Sequence, residues 1–248
     1  MKNIRKFLCL ALALIMVLSL AACGSKSDDA QDNNDDAQQT AGQPIEGGTF
    51  VYAIEEPITS LNWYNNNSTD LGKQVFSNLY DPMWKNNADG SLDYRLAKNV
   101  DISEDGTTYT LTLRDDIYWS DGEKITTDDI VFTLDTLVEP EVAPSTASGY
   151  KVDGEFCSYE KVSDTEIVFT IGRASNLFKK ALGALYVLPA HCFEGVAATE
   201  VLTCEQNDTI ATSGAFVVDS FNVGEKLVCV KNDKYYRTPA HIDGFEVR

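Results

Sequence analysis

Alternation of apolar and polar residues predicts strands in the part of the chain that follows residue 46. Residues 49–54, 108–114 and 166–171 each have the alternating or strand-forming pattern of a half-buried strand. The segments AFVVDSF and KLVCVKN are joined by a short stretch that contains a glycine, so they predict a β-hairpin. The final four residues, FEVR, also have the composition of a strand.

Helical spacing of apolar residues predicts helices between these strands. Residues 70–84 carry apolar side chains near helical spacing until Pro82 interrupts them, and residues 176–185 also fit a helix. A third helix is expected after Thr126 or Thr127, because threonine can cap a helix N-terminus. Its expected apolar face consists of Ile130, Val131, Leu134, Leu137 and Val138.

Six acidic residues lie between positions 115 and 132, a density that raises the question of metal binding or carboxylate catalysis. The spacing fits neither an EF-hand loop nor a distinct catalytic acid pair. Asp121 and Gly122 instead form a turn sequence, and Asp128 and Asp129 fall in the first turn of the predicted helix, where the helix dipole favours them. We therefore interpret most of this cluster as turn and capping chemistry.

The first 46 residues have a different pattern, typical of an export signal followed by a tether. A basic start, MKNIRK, precedes the apolar stretch 7–20, which is shorter than the ~20 residues that span a bilayer. The sequence Leu-Ala-Ala before Cys23 resembles a bacterial lipoprotein processing site; an ordinary signal-peptidase site is the alternative. We predict that residues 1–22 are a lipoprotein signal peptide and that Cys23 is the lipidated N-terminus of the mature protein.

Residues 23–46 are predicted to form a disordered acidic linker after the lipidated cysteine. Almost no apolar side chain occurs there, so burial cannot offset the entropy of ordering the chain. The remaining segment, 47–248, is the predicted folded domain. These assignments place the protein at the outer face of the cytoplasmic membrane or in the periplasm, held to the membrane by its lipid anchor.

Composition and charge limit the classes of molecule that this protein is expected to bind. The chain has 248 residues, of which 44% are hydrophobic and 23% are charged, as in globular proteins. Its formal net charge is -18, and such an acidic surface repels phosphate backbones. Nucleic-acid binding is therefore not expected.

Four cysteines remain if Cys9 leaves with the signal peptide and Cys23 is lipidated: Cys157, Cys192, Cys204 and Cys229. Disulfides can form in an exported domain, but the sequence does not choose between the three possible full pairings or free thiols.

A zinc site built from Cys192, Cys204, His191 and His241 is a weaker alternative, because no C-x2-C spacing supports it. We therefore predict neither a metal nor a cofactor.

Enzyme motifs are missing from the sequence. There is no G-x-S-x-G, P-loop, H-E-x-x-H or G-x-G-x-x-G pattern. His191 and His241 are the two histidines, and His191 is interpreted as structural although Cys192 follows it. The chain is predicted not to be an enzyme; a secreted hydrolase is retained as a weaker alternative.

The segment LTLRDDIYWSDGEKITTDDIVFTLDTL resembles the hallmark segment of the family 5 extracellular solute-binding proteins, which include oligopeptide- and dipeptide-binding proteins of ATP-driven (ABC) importers. Further stretches resemble the family in the same order: SLNWYNNNSTD, LAKNVDISEDGTTYTLTL, LYVLPAH and the region from SGAFVVDSF to the last residue. The resemblance extends from about Gly47 to Arg248.

This resemblance implies an α/β fold of the two-lobed, type II periplasmic-binding-protein class. The first lobe would comprise about 47–60 and 189–248, and residues 61–188 would form an inserted subdomain. Because members of the family are considerably longer, the resemblance implies that this chain is the N-terminal half and lacks the second lobe.

The resemblance also implies a ligand-binding set without catalytic or metal-binding residues. The positions that match cleft-lining segments of the family are Glu56, Ile58, Thr59, Tyr150, Ser213, Gly214 and Ala215. Backbone groups near Gly214 would follow a bound peptide, since main-chain hydrogen bonds do not depend on the peptide's side chains.

The implied function is capture of peptides and their delivery to the permease subunits of an ABC transporter. A non-peptide solute such as nickel, haem or a sugar is the alternative cargo, because a fold does not determine its ligand.

Overall fold

The computed structural model describes residues 44–54, 57–66, 69–140, 142 and 145–248. The predicted signal peptide, Cys23 and Glu56 lie outside these residues, as does the linker up to residue 43. None of the helices in the described residues is both long enough and apolar enough to cross a membrane.

The described residues form an α/β structure of short strands and helices. The strands are β1 (Thr49–Tyr52), β2 (Trp84–Asn86), β3 (Leu92–Tyr94), β4 (Ala97–Ile102), β5 (Thr108–Leu113), β6 (Lys151–Val152), β7 (Glu155–Phe156), β8 (Ser158–Ser163), β9 (Glu166–Thr170), β10 (Phe216–Asn222), β11 (Lys226–Lys231) and β12 (Gly244–Val247). The α-helices are α1 (Trp63–Asn66), α2 (Asp70–Phe76), α3 (Thr127–Val138) and α4 (Asn176–Gly183). Short 3-10 helices cover Ser145–Tyr150, Ala190–Phe193, Ala198–Glu200 and Glu205–Asp208.

The first sheet has the strand order β1-β12-β11-β10 and joins the start of the domain to its end. β1 runs parallel to β12, while β12, β11 and β10 are antiparallel neighbours. The predicted hairpin between β10 and β11 is confirmed, and Gly224 adopts a φ of 75° in its turn, a conformation that glycine accepts without steric cost. Phe50 and Val51 of β1 remain about half exposed, because β1 is the edge strand of this sheet.

The second sheet has the antiparallel order β4-β5-β9-β8 and comes from the middle of the chain. Alternate residues of β5 point into the core, so Tyr109, Leu111 and Leu113 are buried as the sequence pattern predicts. Ile167 and Phe169 of β9 are buried beside them. Helix α3 packs against β8 of this sheet.

Helix α3 begins with the predicted threonine cap. The Thr126 side chain accepts from the Asp128 backbone N–H, and the Asp129 carboxylate accepts from the Thr126 N–H at 2.9 Å, so a capping box is formed. The predicted apolar face is partly wrong, because Val138 in the last turn is 41% exposed. Thr133 is buried on this helix instead, and its hydroxyl accepts a 2.8 Å bond from the Leu188 N–H.

Helix α2 ends at Phe76, six positions before Pro82, which the sequence suggested as its terminus. The chain leaves the helix because residues 78–79 are used as a docking segment for residues 213–216, which include the start of β10. The Asn78 carbonyl accepts from Phe216, and the Leu79 carbonyl accepts from both Ser213 and Gly214. This long-range pairing ends the helix before the proline does.

Aromatic side chains account for much of the core. Trp84, Trp119, Tyr80, Phe76 and Phe178 are all at most 2% exposed. The four cysteines of the domain are free thiols in this structure, and Cys157 and Cys229 are buried.

Candidate ligand-binding site

An open groove of about 620 Å³ lies beside the chain that leaves β1. Ile58 and Thr59 line one side of it, and Asn65, Asn66 and Val75 from the α1–α2 region contribute to its other walls. We call this feature the Thr59 groove. Two of the predicted ligand-binding residues, Ile58 and Thr59, are thus brought to one concave surface.

A network of asparagines holds the polar wall of the Thr59 groove in place. The Ser60 hydroxyl accepts from the Asn62 N–H and from the Asn65 amide, each at 3.0 Å. The Asn62 amide donates to the Asn207 side-chain oxygen at 2.9 Å, and Asn207 donates in turn to the Val201 carbonyl at 2.7 Å. Because Asn62 and Asn207 are buried and hydrogen-bonded, this wall is ordered before any ligand arrives.

Ile58 and Thr59 both line the groove, but they differ in the hydrogen-bonding groups that they could offer a ligand. Ile58 is 9% exposed, and its carbonyl already accepts from the Gly224 N–H at 2.8 Å. Thr59 is exposed, and within the described residues neither its backbone groups nor its hydroxyl has a hydrogen-bond partner. Thr59 therefore presents main-chain and side-chain hydrogen-bonding groups toward solvent at the groove.

Tyr150 is packed inside the protein. Its side chain is 3% exposed, its hydroxyl donates to the Ala181 carbonyl at 3.2 Å, and its ring lies 6.0 Å from that of Phe156. Burial raises the pKa of Tyr150 well above the ordinary tyrosine value. A ligand contact by Tyr150 stays a prediction, and the contacts found here are those of a core aromatic.

Ser213, Gly214 and Ala215 also have structural partners. The Ser213 and Gly214 N–H groups donate to the Leu79 carbonyl at 3.0 and 2.8 Å, and the Gly214 carbonyl accepts from the Asn232 amide at 2.9 Å. A Cβ at position 214 would lie 2.5 Å from the Asn78 carbonyl oxygen, so glycine is required by the close approach of these two segments. The Ala215 carbonyl accepts from the Asn232 N–H at 2.9 Å. Peptide binding by these three residues stays a prediction.

A buried acidic cluster around Asp81 was not identified from the sequence. Asp81 is 3% exposed, and its carboxylate accepts from the hydroxyls of Tyr235 and Tyr236 at 2.6 and 2.8 Å. Arg95 lies 3.8 Å from Asp81 and binds Asp93 at 2.6 Å. The adjacent tyrosines were visible in the sequence, but nothing there indicates that they share one carboxylate.

Asp121, His191 and Cys192 form a second polar cluster. His191 Nε2 lies 2.7 Å from an Asp121 carboxylate oxygen and 3.5 Å from the Cys192 Sγ. A nucleophile–base–acid triad needs the two imidazole nitrogens to serve different partners, whereas here both contacts involve Nε2. Burial also raises the pKa of the Cys192 thiol, which opposes formation of the reactive thiolate. The cluster therefore lacks the arrangement of a hydrolase site.

The four residues of the alternative zinc site are not assembled as the sequence suggested. His241 pairs with Glu46 at 2.7 Å, and the Cys204 thiol donates to the Val201 carbonyl at 3.4 Å. Only His191 and Cys192 of that set share a cluster within the described residues.

Known proteins resemble this chain in sequence and in fold. The oligopeptide-binding protein AppA of Bacillus subtilis is 27% identical over 245 residues, which cover 96% of this chain and 43% of AppA. The crystal structure of the ABC transporter substrate-binding protein CtaP from Listeria monocytogenes superposes with a TM-score of 0.73 at 26% identity, over 82% of this chain and 40% of CtaP. The structure of Bacillus subtilis AppA in complex with a nonapeptide gives a TM-score of 0.71 at 23% identity, over 83% and 40% of the two chains.

The chain thus spans less than half the length of these relatives. The fold they share is the type II periplasmic-binding-protein fold expected from the sequence, represented here by its N-terminal part. The family described as bacterial extracellular solute-binding proteins, family 5, middle, matches residues 92–248, which is more than half of the chain. The chain belongs to the family 5 bacterial extracellular solute-binding proteins.

Proposed function

We propose that this chain is the N-terminal part of a lipid-anchored, extracytoplasmic protein that captures peptides and passes them to the permease of an ABC importer. The observation that carries this proposal is the Thr59 groove. It is lined by Ile58 and Thr59, two of the seven residues that the family resemblance implies as ligand contacts, and Thr59 is exposed there. AppA, a relative in the same family, is an oligopeptide-binding protein.

The groove suits the main chain of an extended peptide better than a particular side chain. Thr59 and the side-chain oxygens of Asn65 and Asn66 supply hydrogen-bonding groups, whereas the amide N–H groups of both asparagines already donate within the protein. The described residues that line the groove include no charged side chain. Such contacts recognise the peptide backbone, which is common to all sequences. Broad peptide selectivity follows from this arrangement.

We further propose that a second lobe completes the site. The Thr59 groove is open to solvent, and a single wall cannot remove water from both sides of a ligand. The relatives are more than twice as long as this chain, so a second lobe would come from sequence after Arg248. In this proposal the first sheet and the chain around it form one lobe, and the second sheet forms the inserted subdomain.

Binding without chemical change is part of the proposal. In the cluster of Asp121, His191 and Cys192 the imidazole uses Nε2 for both contacts, so the carboxylate does not orient it as a base toward the thiol. A captured peptide would therefore be released intact. The lipid anchor at Cys23 and the contact with a permease rest on the sequence of residues 1–46 and on the family.

A peptide-capture experiment tests the proposal. The full-length protein is incubated with a defined peptide mixture, and bound and free peptides are identified by mass spectrometry. We expect intact peptides in the bound fraction, and cleaved peptides would contradict the proposal.

A pair of variants tests the location of the site. Thr59→Trp fills the Thr59 groove and should reduce peptide affinity at least ~10-fold, or about 1.4 kcal/mol. Thr199→Trp places the same bulky residue on an exposed 3-10 helix outside the groove lining and should leave affinity unchanged. If both variants bound the peptide as tightly as the parent protein does, the peptide would have to bind outside the Thr59 groove.

A further inference from the structure

The cluster of Asp121, His191 and Cys192 joins two segments that are 70 positions apart in the sequence. Asp121 lies in the turn after Trp119, and the other two residues lie in the 3-10 helix Ala190–Phe193. One carboxylate oxygen, one imidazole nitrogen and one sulfur lie within 4.8 Å of one another. Three different donor types therefore converge on one small region.

We propose that Asp121, His191 and Cys192 form a zinc site with three protein ligands and an open fourth position. Oxygen, imidazole nitrogen and thiolate sulfur are the donor atoms that Zn²⁺ takes in proteins. Three protein ligands with one position left for water is the arrangement of an open, rather than a closed structural, zinc site.

The sulfur–nitrogen distance in the cluster agrees with tetrahedral coordination, and the oxygen–nitrogen distance is shorter than such coordination requires. With Zn–S of about 2.3 Å and Zn–N of about 2.0 Å, a tetrahedral angle separates sulfur from nitrogen by about 3.5 Å. The observed separation of Cys192 Sγ from His191 Nε2 is 3.5 Å. The Asp121 oxygen now lies 2.7 Å from His191 Nε2, at hydrogen-bond distance. In a tetrahedral site the two atoms would be about 3.3 Å apart, so the Asp121 side chain would move outward and both atoms would bind the metal ion in place of this hydrogen bond.

The surrounding structure holds both segments in position without the ion. The second Asp121 carboxylate oxygen accepts from the Glu123 N–H at 3.1 Å, which closes the turn. The Ala190 N–H donates to the Asp129 carboxylate at 2.9 Å, which fixes the start of the 3-10 helix. Ligands that are oriented by such outer contacts lose little entropy when they bind a metal.

Access to the cluster is open. The Asp121 and His191 side chains are 42% and 31% exposed, so a hydrated ion can reach them. On binding, Zn²⁺ takes the place of the Cys192 thiol proton, which passes to solvent, and one water remains at the fourth position. The cluster does not contribute to the lining of the Thr59 groove, so this inference stands apart from the proposed peptide capture.

Two other sites in the chain provide matched controls. His241 and Glu46 form a second histidine–carboxylate pair at the same distance of 2.7 Å. Among the described residues, no cysteine joins this pair to make a three-donor cluster. Cys204 is a half-buried free thiol whose contacts are the Val201 carbonyl and the Asn207 amide. A general affinity of histidine or thiol groups for zinc would involve these residues as well.

The test uses the 248-residue chain with Zn²⁺, followed by calorimetry, and with Co²⁺ as a spectroscopic substitute. We expect one tight zinc equivalent that depends on the cluster and a thiolate-to-cobalt charge-transfer band. Cys192→Ser should abolish that band and weaken the zinc equivalent at least ~100-fold, since even outer-shell changes cost about 10- to 100-fold. His191→Gln should weaken zinc binding similarly, and Asp121→Asn should weaken it less.

Two control variants change a thiol and a histidine outside the cluster. Cys204→Ser and His241→Asn should retain the zinc equivalent and the cobalt band, and circular dichroism should show that every variant is folded. X-ray absorption at the zinc edge should find one sulfur ligand among the nearest neighbours. Absence of a zinc equivalent in the parent chain, or its persistence in Cys192→Ser, would overturn the proposal.

Discussion

Asp81 accepts a 2.8 Å hydrogen bond from the hydroxyl of Tyr236, a residue 155 positions further along the chain. Tyr235 donates to the same carboxylate oxygen at 2.6 Å. Asp81 follows the docking segment at residues 78–79, and the tyrosines follow β11. The carboxylate therefore connects the middle of the chain to the first sheet at a point remote in sequence.

The first prediction concerns the stability provided by Asp81. Asp81→Ala should lower the free energy of unfolding by about 3 kcal/mol, because two phenol donors and Arg95 lose a buried charged partner. Tyr236→Phe should cost about 1.5 kcal/mol, since one hydrogen bond to a charged group is lost. Denaturant unfolding measures both effects. Asp115→Ala changes an exposed acid and should stay within about 0.5 kcal/mol; a similar cost for Asp115 and Asp81 would contradict the assignment.

The second prediction concerns alkaline pH. Burial, followed by the nearby Asp81 charge, raises the pKa values of Tyr235 and Tyr236 well above the ordinary value. The unfolded chain releases the phenol protons near pH ~10, whereas the folded protein retains them to higher pH. The stability contribution of these groups is thus complete below pH ~10 and is lost as the pH rises beyond it.

Tyr236→Phe should reduce the slope of stability against pH above pH ~10 by up to about 1.4 kcal/mol per unit, which is the value for one proton. Tyr118→Phe, a substitution of a half-exposed tyrosine, should leave that slope unchanged. Unfolding curves recorded at a series of alkaline pH values measure the difference. An identical slope in Tyr236→Phe and the parent protein would show that the folded state does not hold this proton.

The third prediction concerns the start of α3. Thr126→Ala removes the side-chain acceptor of the capping box and should cost about 1 kcal/mol. Thr126→Ser keeps an oxygen in the same place and should retain most of the stability. Thermal or denaturant unfolding of the two variants provides the comparison, and equal losses in both would mean that the capping bond contributes nothing measurable.

The fourth prediction concerns membrane attachment. Cys23→Ala removes the predicted lipidation site and should move the protein from the membrane fraction to the soluble fraction of a bacterial host. Cys204→Ala changes a half-buried thiol of the folded domain and should leave the distribution unchanged. Fractionation followed by immunoblotting is sufficient. Membrane association of Cys23→Ala equal to that of the parent protein would refute the lipoprotein prediction.

The fifth prediction concerns the proposed second wall of the groove. Extending the chain beyond Arg248 by the second lobe should raise peptide affinity at least ~100-fold, or about 2.7 kcal/mol, because enclosure removes water from the ligand. Titration calorimetry with one peptide compares the two proteins, and a fusion to an unrelated domain of similar size is the control. Equal affinity with and without the second lobe would show that enclosure is not needed.

Local elements could be predicted well because their causes are local. The alternation in β5 and β9, the hairpin glycine at position 224 and the threonine cap at Thr126 depend on neighbours a few residues away. The acidic segment 115–132 was likewise explained by its turns and cap, with Asp129 closing the capping box. The motifs in that segment also identified the family that residues 92–248 match.

Contacts between remote segments were beyond the sequence, because no local pattern encodes which side chains meet across the fold. The early end of α2 depends on Ser213 and Gly214 reaching Leu79, and Asp81 becomes a shared acceptor only when the tyrosines arrive from the far end of the domain. The placement of Asp121 beside His191 is of the same kind. The sequence by itself determined most elements and the family, while the tertiary structure decided which polar groups are satisfied internally, because their partners lie far away in the chain.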